Sequence, residues 1–170
     1  MEPNMDAVIQ RILVPVDFSD ASERAAKYAA ALARRLNASL QLIHAVDAPA
    51  LTPGPFEVYH PDTTALVERL NQDARARLTA LAGGLDMPTN AISTEVRSGS
   101  APESITNAAL DYGADLVIMS THGRTGLSHL LMGSVAERVI RAARCPVLVI
   151  RDCGQVHVHR PGAVEAAQSA

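Results

Sequence analysis

The sequence predicts an α/β protein: one open parallel sheet of five strands, covered by helices on both faces to make three layers. Three observations carry this. Short apolar runs alternate with longer stretches whose apolar residues recur at helical spacing. The runs at residues 11–17 (RILVPVD) and 40–46 (LQLIHAV) are apolar almost throughout, as in strands buried on both faces. The order is strand then helix four times, closing on a strand, which demands parallel pairing through right-handed crossovers.

Each element has its own signals. Residues 1–10 form an N-terminal arm, and the domain proper spans residues 11–151. In the first strand, Pro15 cannot donate to a ladder, so it should sit where the strand stops pairing. Asp20 opens D-A-S-E, a helix start with Glu23 at the reciprocal position. Ala25, Tyr28, Ala29, Leu32, Ala33 and Leu36 follow at helical spacing, and Asn37 ends the run. The second strand is residues 40–46. Residues 47–62 hold four prolines, one glycine and no period. They read as an inserted surface loop running to residue 63: a lid over a pocket, part of a subunit contact, or a floppy insertion. Helical pattern returns over residues 64–85, with Val67, Leu70, Ala74, Leu78 and Leu81, and Gly83 and Gly84 stop it. Residues 91–96 are the third strand and Ser98-Gly99 a turn. Ser100 and Glu103 form another S-x-x-E start, with Pro102 tolerated in the first turn. Ile105, Ala108, Ala109 and Tyr112 mark the third helix, which Gly113 ends. Residues 115–119 are the fourth strand, 134–143 a helix with Val135, Val139 and Ile140, and 146–150 the fifth strand. The tail, residues 152–170, has no pattern and is expected to be disordered.

Composition bounds the function. A chain of 170 residues with 48% apolar content suits one domain with a real core. Three Tyr, two Phe and no Trp leave that core to Ala, Val, Leu and Ile. They also leave few candidates for stacking on nucleic-acid bases. A net charge of −3 without a basic cluster argues against nonspecific nucleic-acid or anionic-membrane binding. No apolar run approaches the ~18 residues of a membrane span. The acidic, polar start M-E-P-N-M-D does not resemble a signal peptide. Cys145 and Cys153 do not suggest a disulfide framework, so a reducing cytoplasm is expected.

Residues 119–135, M-S-T-H-G-R-T-G-L-S-H-L-L-M-G-S-V, join the fourth strand to the helix after it. A strand, a glycine-bearing loop and a helix start are what a phosphate site requires. The loop is not a Walker loop and has no lysine; Lys27 is the chain's only one, and Arg124 is the loop's fixed cation. Part of the pattern needs no ligand: Ser134 with Glu137 makes an S-x-x-E capping box, and Gly123 and Gly126 could simply supply turns.

The spacing is more specific. Gly123 is followed by nine residues, then Gly133 and Ser134, with Ser120 three positions ahead of Gly123. This resembles the nucleotide loop of the universal stress protein family, whose ATP-binding members carry G-x-x-G, nine residues, then G-[ST]. Ser120 stands where those members have the first glycine. The flanks T-H-G-R-T-G, G-S-V-A-E-R-V and C-P-V-L-V-I also look like the family, over residues 11–151. The resemblance implies a Rossmann-like sheet of strand order 3-2-1-4-5. A doubly wound sheet binds ligands beyond the carboxyl ends of its strands, where the order reverses. Here that point lies between Pro15, Val16 and Asp17 on the first strand and Met119 and Ser120 on the fourth.

The resemblance further implies ATP, with Mg2+ or Mn2+ on its phosphates. Pro15, Val16, Asp17 and Ala45 would line the adenine pocket. Ser120, Thr121, His122, Gly123, Arg124 and Thr125 would meet ribose and phosphates, and Gly133, Ser134 and Val135 would hold phosphates. It also implies a homodimer through the apolar fifth strand, Pro146, Val147, Leu148, Val149 and Ile150. Three functions stay open: an ATP-binding regulatory stress protein, a nucleotide-free dimeric interaction protein of the same fold, and a slow ATPase. The loop has no evident general base, so turnover should be weak. His44 reads as a core residue with one satisfied nitrogen. His122 and His129 lack the spacing of a metal motif, and His157 and His159 lie in the tail. Cys145 reads as buried and inert.

Overall fold

The computed structural model describes residues 8–46, 61–121 and 133–151. Its strands are β1 (Arg11–Pro15), β2 (Ser39–Val46), β3 (Ile92–Ser98), β4 (Leu116–Ser120) and β5 (Val147–Ile150). The helices are α1 (Asp20–Leu36), α2 (Pro61–Gly83), α3 (Ala101–Tyr112) and α4 (Ser134–Ala142), with a 3-10 turn at Thr89–Ala91. All strand pairs are parallel, in the order β3-β2-β1-β4-β5. The α/β class, the three layers and the strand order are as the sequence and its resemblance imply.

Side chains alternate across the sheet to make two cores. Ile12, Val14, Leu40, Leu42 and Ile118 pack with Ala26, Ala29, Ala30 and Ala33 of α1 and Leu78 of α2. Leu13, Ile43, Val117 and Met119 pack with Ile105, Ala108 and Ala109 of α3 and Ala136 and Val139 of α4. The alanine face of α1 brings that helix close to the sheet, so a tight core forms without large rings.

Helix ends depart from the expectations in instructive ways. Ser19, not Asp20, caps α1: its hydroxyl accepts from Ser22 N–H at 3.2 Å, and Asp20 is the first helical residue. Asn37 closes α1 in the left-handed region, φ 54°. α2 begins at Pro61, three residues ahead of the expected Thr64; a proline fits a first turn because its missing N–H would have no intrahelical acceptor there. Ser100 precedes α3 but its side chain makes no capping bond. Gly113 ends α3 with φ +64°. The expected surface loop up to residue 60, the first seven residues of the arm and the tail lie outside the described residues.

One end of the central strand pair is tied and the other is open. Asp115 Oδ2 accepts from Gln10 N–H and Arg11 N–H, each at 2.9 Å, and Asp115 N–H donates to Arg11 O at 2.9 Å. The register then runs Ile12↔Leu116 and Leu13↔Val117, and stops.

Candidate functional site

The stop has a local cause. In a central parallel strand, successive residues turn their backbone groups to opposite neighbours. Arg11 O accepts from Asp115 on the β4 side, and Val16 N–H donates to Ile43 O on the β2 side at 2.8 Å. Pro15 therefore faces β4, and its ring nitrogen has no hydrogen to give. Pairing with β2 continues through Pro15↔Ile43 while pairing with β4 has already ended. The sequence expectation for Pro15 thus holds on one side of the strand, the side that opens a crevice.

The crevice holds a cavity of about 430 Å3, within the range of small-molecule sites. Of the residues singled out in the sequence, Pro15, Val16, Asp17, Ala45, Met119, Ser120, Thr121, Gly133, Ser134 and Val135 all line it. His122, Gly123, Arg124 and Thr125 lie outside the described residues. The sequence reading missed Ser22, Ile43, His44, Ala101, Ile105 and Ala136, which also face the cavity. Their common signal is position: Ser22, Ala101 and Ala136 lie in the first turns of their helices, Ile105 follows in the second turn of α3, and Ile43 and His44 lie in the carboxyl half of β2.

The cavity is lined by both aliphatic and polar groups. Val16, Ile43, Ile105 and Met119 are buried and form an aliphatic floor. The start of α4 joins them, with Ala136 and Val135 packed in the same cluster as Ile43, Ile105 and Met119. Gly133 occupies the cap position with extended backbone (φ −61°, ψ 144°) and supplies no side-chain cap. Ser134 is the first helical residue, so the expected Ser134–Glu137 capping box does not form; Glu137 N–H donates to Gly133 O at 3.0 Å instead. A first turn without a side-chain cap presents backbone N–H groups and the positive end of the helix dipole. Gly133 N–H donates to Thr121 O at 2.8 Å, so the chain leaves β4 and enters α4 at one point beside the cavity.

The β1–α1 corner is held tightly. Asp17 Oδ1 accepts from Ser19 N–H at 3.0 Å and from its hydroxyl at 2.6 Å. Asp17 N–H donates to Ser22 Oγ at 3.3 Å, and that hydroxyl donates to Ser19 O at 3.0 Å. His44 Nδ1 donates to Val16 O at 2.6 Å, which places the proton on Nδ1. Among the described residues no group of three or more His, Cys, Asp or Glu could hold a metal ion. Burial pushes the Cys145 thiol up, but Cys145 does not line this cavity.

The sequence profile of the Universal stress protein family matches residues 9–151. The chain belongs to that family. It is 35% identical over 148 residues to universal stress protein MJ0531 of Methanocaldococcus jannaschii, covering 87% of this chain and 85% of the relative. Among solved structures, protein MJ0577 of the same organism superposes with a TM-score of 0.70 at 27% identity, covering 85% of this chain and 96% of the other. A universal stress protein in complex with cAMP superposes with a TM-score of 0.55 at 24% identity, over 85% of this chain and 98% of the other. That last likeness is one of fold.

Proposed function

We propose that this universal stress protein binds an adenine nucleotide, ATP or ADP with Mg2+ or Mn2+, in the crevice between β1 and β4. We further propose that occupancy sets its conformation or its choice of partner in a cytoplasmic stress response. The observation that carries the reading is the pairing of an aliphatic cavity with a helix start whose cap is a glycine. No Cβ stands at Gly133 to hold phosphate away, and the first-turn N–H groups of α4 have no side-chain cap. The donor set fits the ligand. Ser134 can give hydroxyl and backbone N–H to phosphate, Ser120 and Thr121 flank the ribose position, and Val16, Ile43 and Ala45 offer a slot for the base. His122, Gly123, Arg124 and Thr125 join the phosphate group by resemblance. A fold neighbour that holds cAMP is in keeping with a nucleotide. The chain's own groups bind and orient; Glu137, in the first turn of α4, pairs with Arg141 and does not line the cavity.

The protein is further proposed to act as a homodimer. Among the described residues β5 pairs with β4 on one side only, and Val147, Leu148, Val149 and Ile150 are half-buried. An apolar edge of this kind associates, and pairing about a two-fold axis leaves no growing end. No helix among the described residues is long and apolar enough to cross a membrane.

Calorimetric titration with Mg-ATP tests the nucleotide. Wild type should bind. Gly133→Val puts a branched side chain where phosphate must approach and should weaken affinity at least about tenfold, a loss of about 1.4 kcal/mol. Equal affinity in the two proteins would dismiss the site.

A further inference from the structure

Val16 and His44 stand opposite each other in the register that ends at Pro15↔Ile43. Val16 N–H still reaches Ile43 O, at 2.8 Å. The next rung of a parallel ladder would join Ala45 N–H to Val16 O. Val16 O goes instead to the ring of His44, the Nδ1 contact at 2.6 Å. The backbone alternation that turns Ile43 toward β1 turns Ala45 the same way, and Ala45 lines the cavity. The ladder thus ends before an Ala45–Val16 rung, and the imidazole bonds the carbonyl that this rung would use.

The ring is held in that role from behind. Phe18 lies against it, with ring centroids 4.5 Å apart and planes at 39°. The Arg77 guanidinium of α2 lies over Phe18, 4.0 Å from the centroid. Phe18 has φ 63°, a conformation that an aromatic residue keeps only where its surroundings dictate it. Phe18 and Arg77 are not among the residues that line the cavity.

We propose that His44, backed by Phe18 and Arg77, is a positioning residue for base recognition: it diverts Val16 O and leaves the Ala45 N–H turned to the cleft as a donor for a ring nitrogen of the base. This rests on the nucleotide reading above. Its consequence is specific to the base half of the ligand, because the phosphates bind at α4.

Two variants separate the donor from the ring. His44→Phe keeps a ring on Phe18 and removes the donor, so Val16 O regains Ala45 N–H. His44→Asn keeps an N–H near the Nδ1 position. Against wild type, titration should show Mg-ATP affinity about two- to tenfold weaker in His44→Phe and within about twofold in His44→Asn, the span of one hydrogen bond. Affinity for Mg-triphosphate, which has no base, should be the same in all three. Hydrogen exchange without ligand gives a second readout: the Ala45 amide should exchange quickly in wild type and slowly in His44→Phe. Wild type that binds ATP beside a His44→Phe protein that binds it equally well overturns the inference and leaves the nucleotide reading intact. Wild type that binds no ATP removes the nucleotide reading. The Ala45 exchange rates then decide the rung alone, and equal rates in the two proteins overturn it.

Discussion

Gly113 joins α3 to β4, and β4 carries one wall of the cleft, so its replacement tests how the scaffold is held. The residue has φ +64°, and its N–H closes on Leu110 O at 3.0 Å. The next residue, Ala114, returns an N–H to Ala109 O at 2.8 Å, and Asp115 then clamps β1. A Cβ at position 113 would meet Cζ, Nη1 and Nη2 of Arg11, all at 3.0 Å. Three terms set the cost of Gly113→Ala. The left-handed backbone costs an L-residue about 1–2 kcal/mol. The stiffer unfolded chain offsets about 0.4–1 kcal/mol. The guanidinium is the far end of a flexible side chain and can move aside, so the contact adds little. The net is a destabilisation of about 1 kcal/mol, or about 2–4 °C in Tm for a chain of this size. Gly83→Ala is the control. Gly83 ends α2, its Cβ would meet nothing within 4 Å, and its φ is not in the left-handed region. There alanine should be neutral or stabilising by up to about 1 kcal/mol. Thermal unfolding followed by circular dichroism measures both. Gly113→Ala melting at or above wild type would refute the account of the turn.

Other perturbations probe the site and the proposed dimer. Ser120→Gly should bind ATP as tightly as wild type or more so, since it removes a Cβ from the cleft; a clear loss in titration would make Ser120 a ligand in its own right. Val149→Lys should shift sedimentation equilibrium at micromolar protein from dimer toward monomer; an undiminished dimer would place the contact away from β5. Burial pushes the Cys145 thiol up, with a smaller contribution from Asp115, so the thiolate is scarcer at a given pH than in the unfolded chain. In a Cys153→Ser background, iodoacetamide at pH 8 should therefore label native protein more slowly than protein in urea, and equal rates would contradict the burial.

The sheet was legible because its evidence is redundant. Each strand is an apolar run and each crossover a helical period, so a misplaced boundary leaves the topology intact. Helix starts are less redundant, and there the local patterns mislead. Asp20 and Ser19 are both good caps in sequence; Ser19 wins because Asp17 Oδ1 and Ser22 fix its backbone and hydroxyl from either side. Ser100-Glu103 and Ser134-Glu137 both satisfy S-x-x-E, yet Ser100 makes no side-chain capping bond and Ser134 is already inside its helix. At α4 the cap falls to Gly133, whose N–H is anchored to Thr121 O across the mouth of the loop. That bond sets the helix one residue earlier than the capping box requires, and frees the first turn for another acceptor.

His44 shows a different limit. Reading it as a core residue with one satisfied nitrogen holds for the nitrogen, since Nδ1 is satisfied, but not for the core, since His44 is half-buried and lines the cavity. What the pattern could not carry is which acceptor it finds. Val16, Phe18, His44 and Arg77 belong to the end of β1, the turn before α1, β2 and α2, and meet only once the sheet and its helices have packed. A period-2 or period-3.6 pattern specifies which face a side chain takes. It does not specify whether a carbonyl at a strand end goes to the neighbouring strand or to a ring. At this crevice that choice decides whether the Ala45 N–H belongs to the sheet or to a ligand.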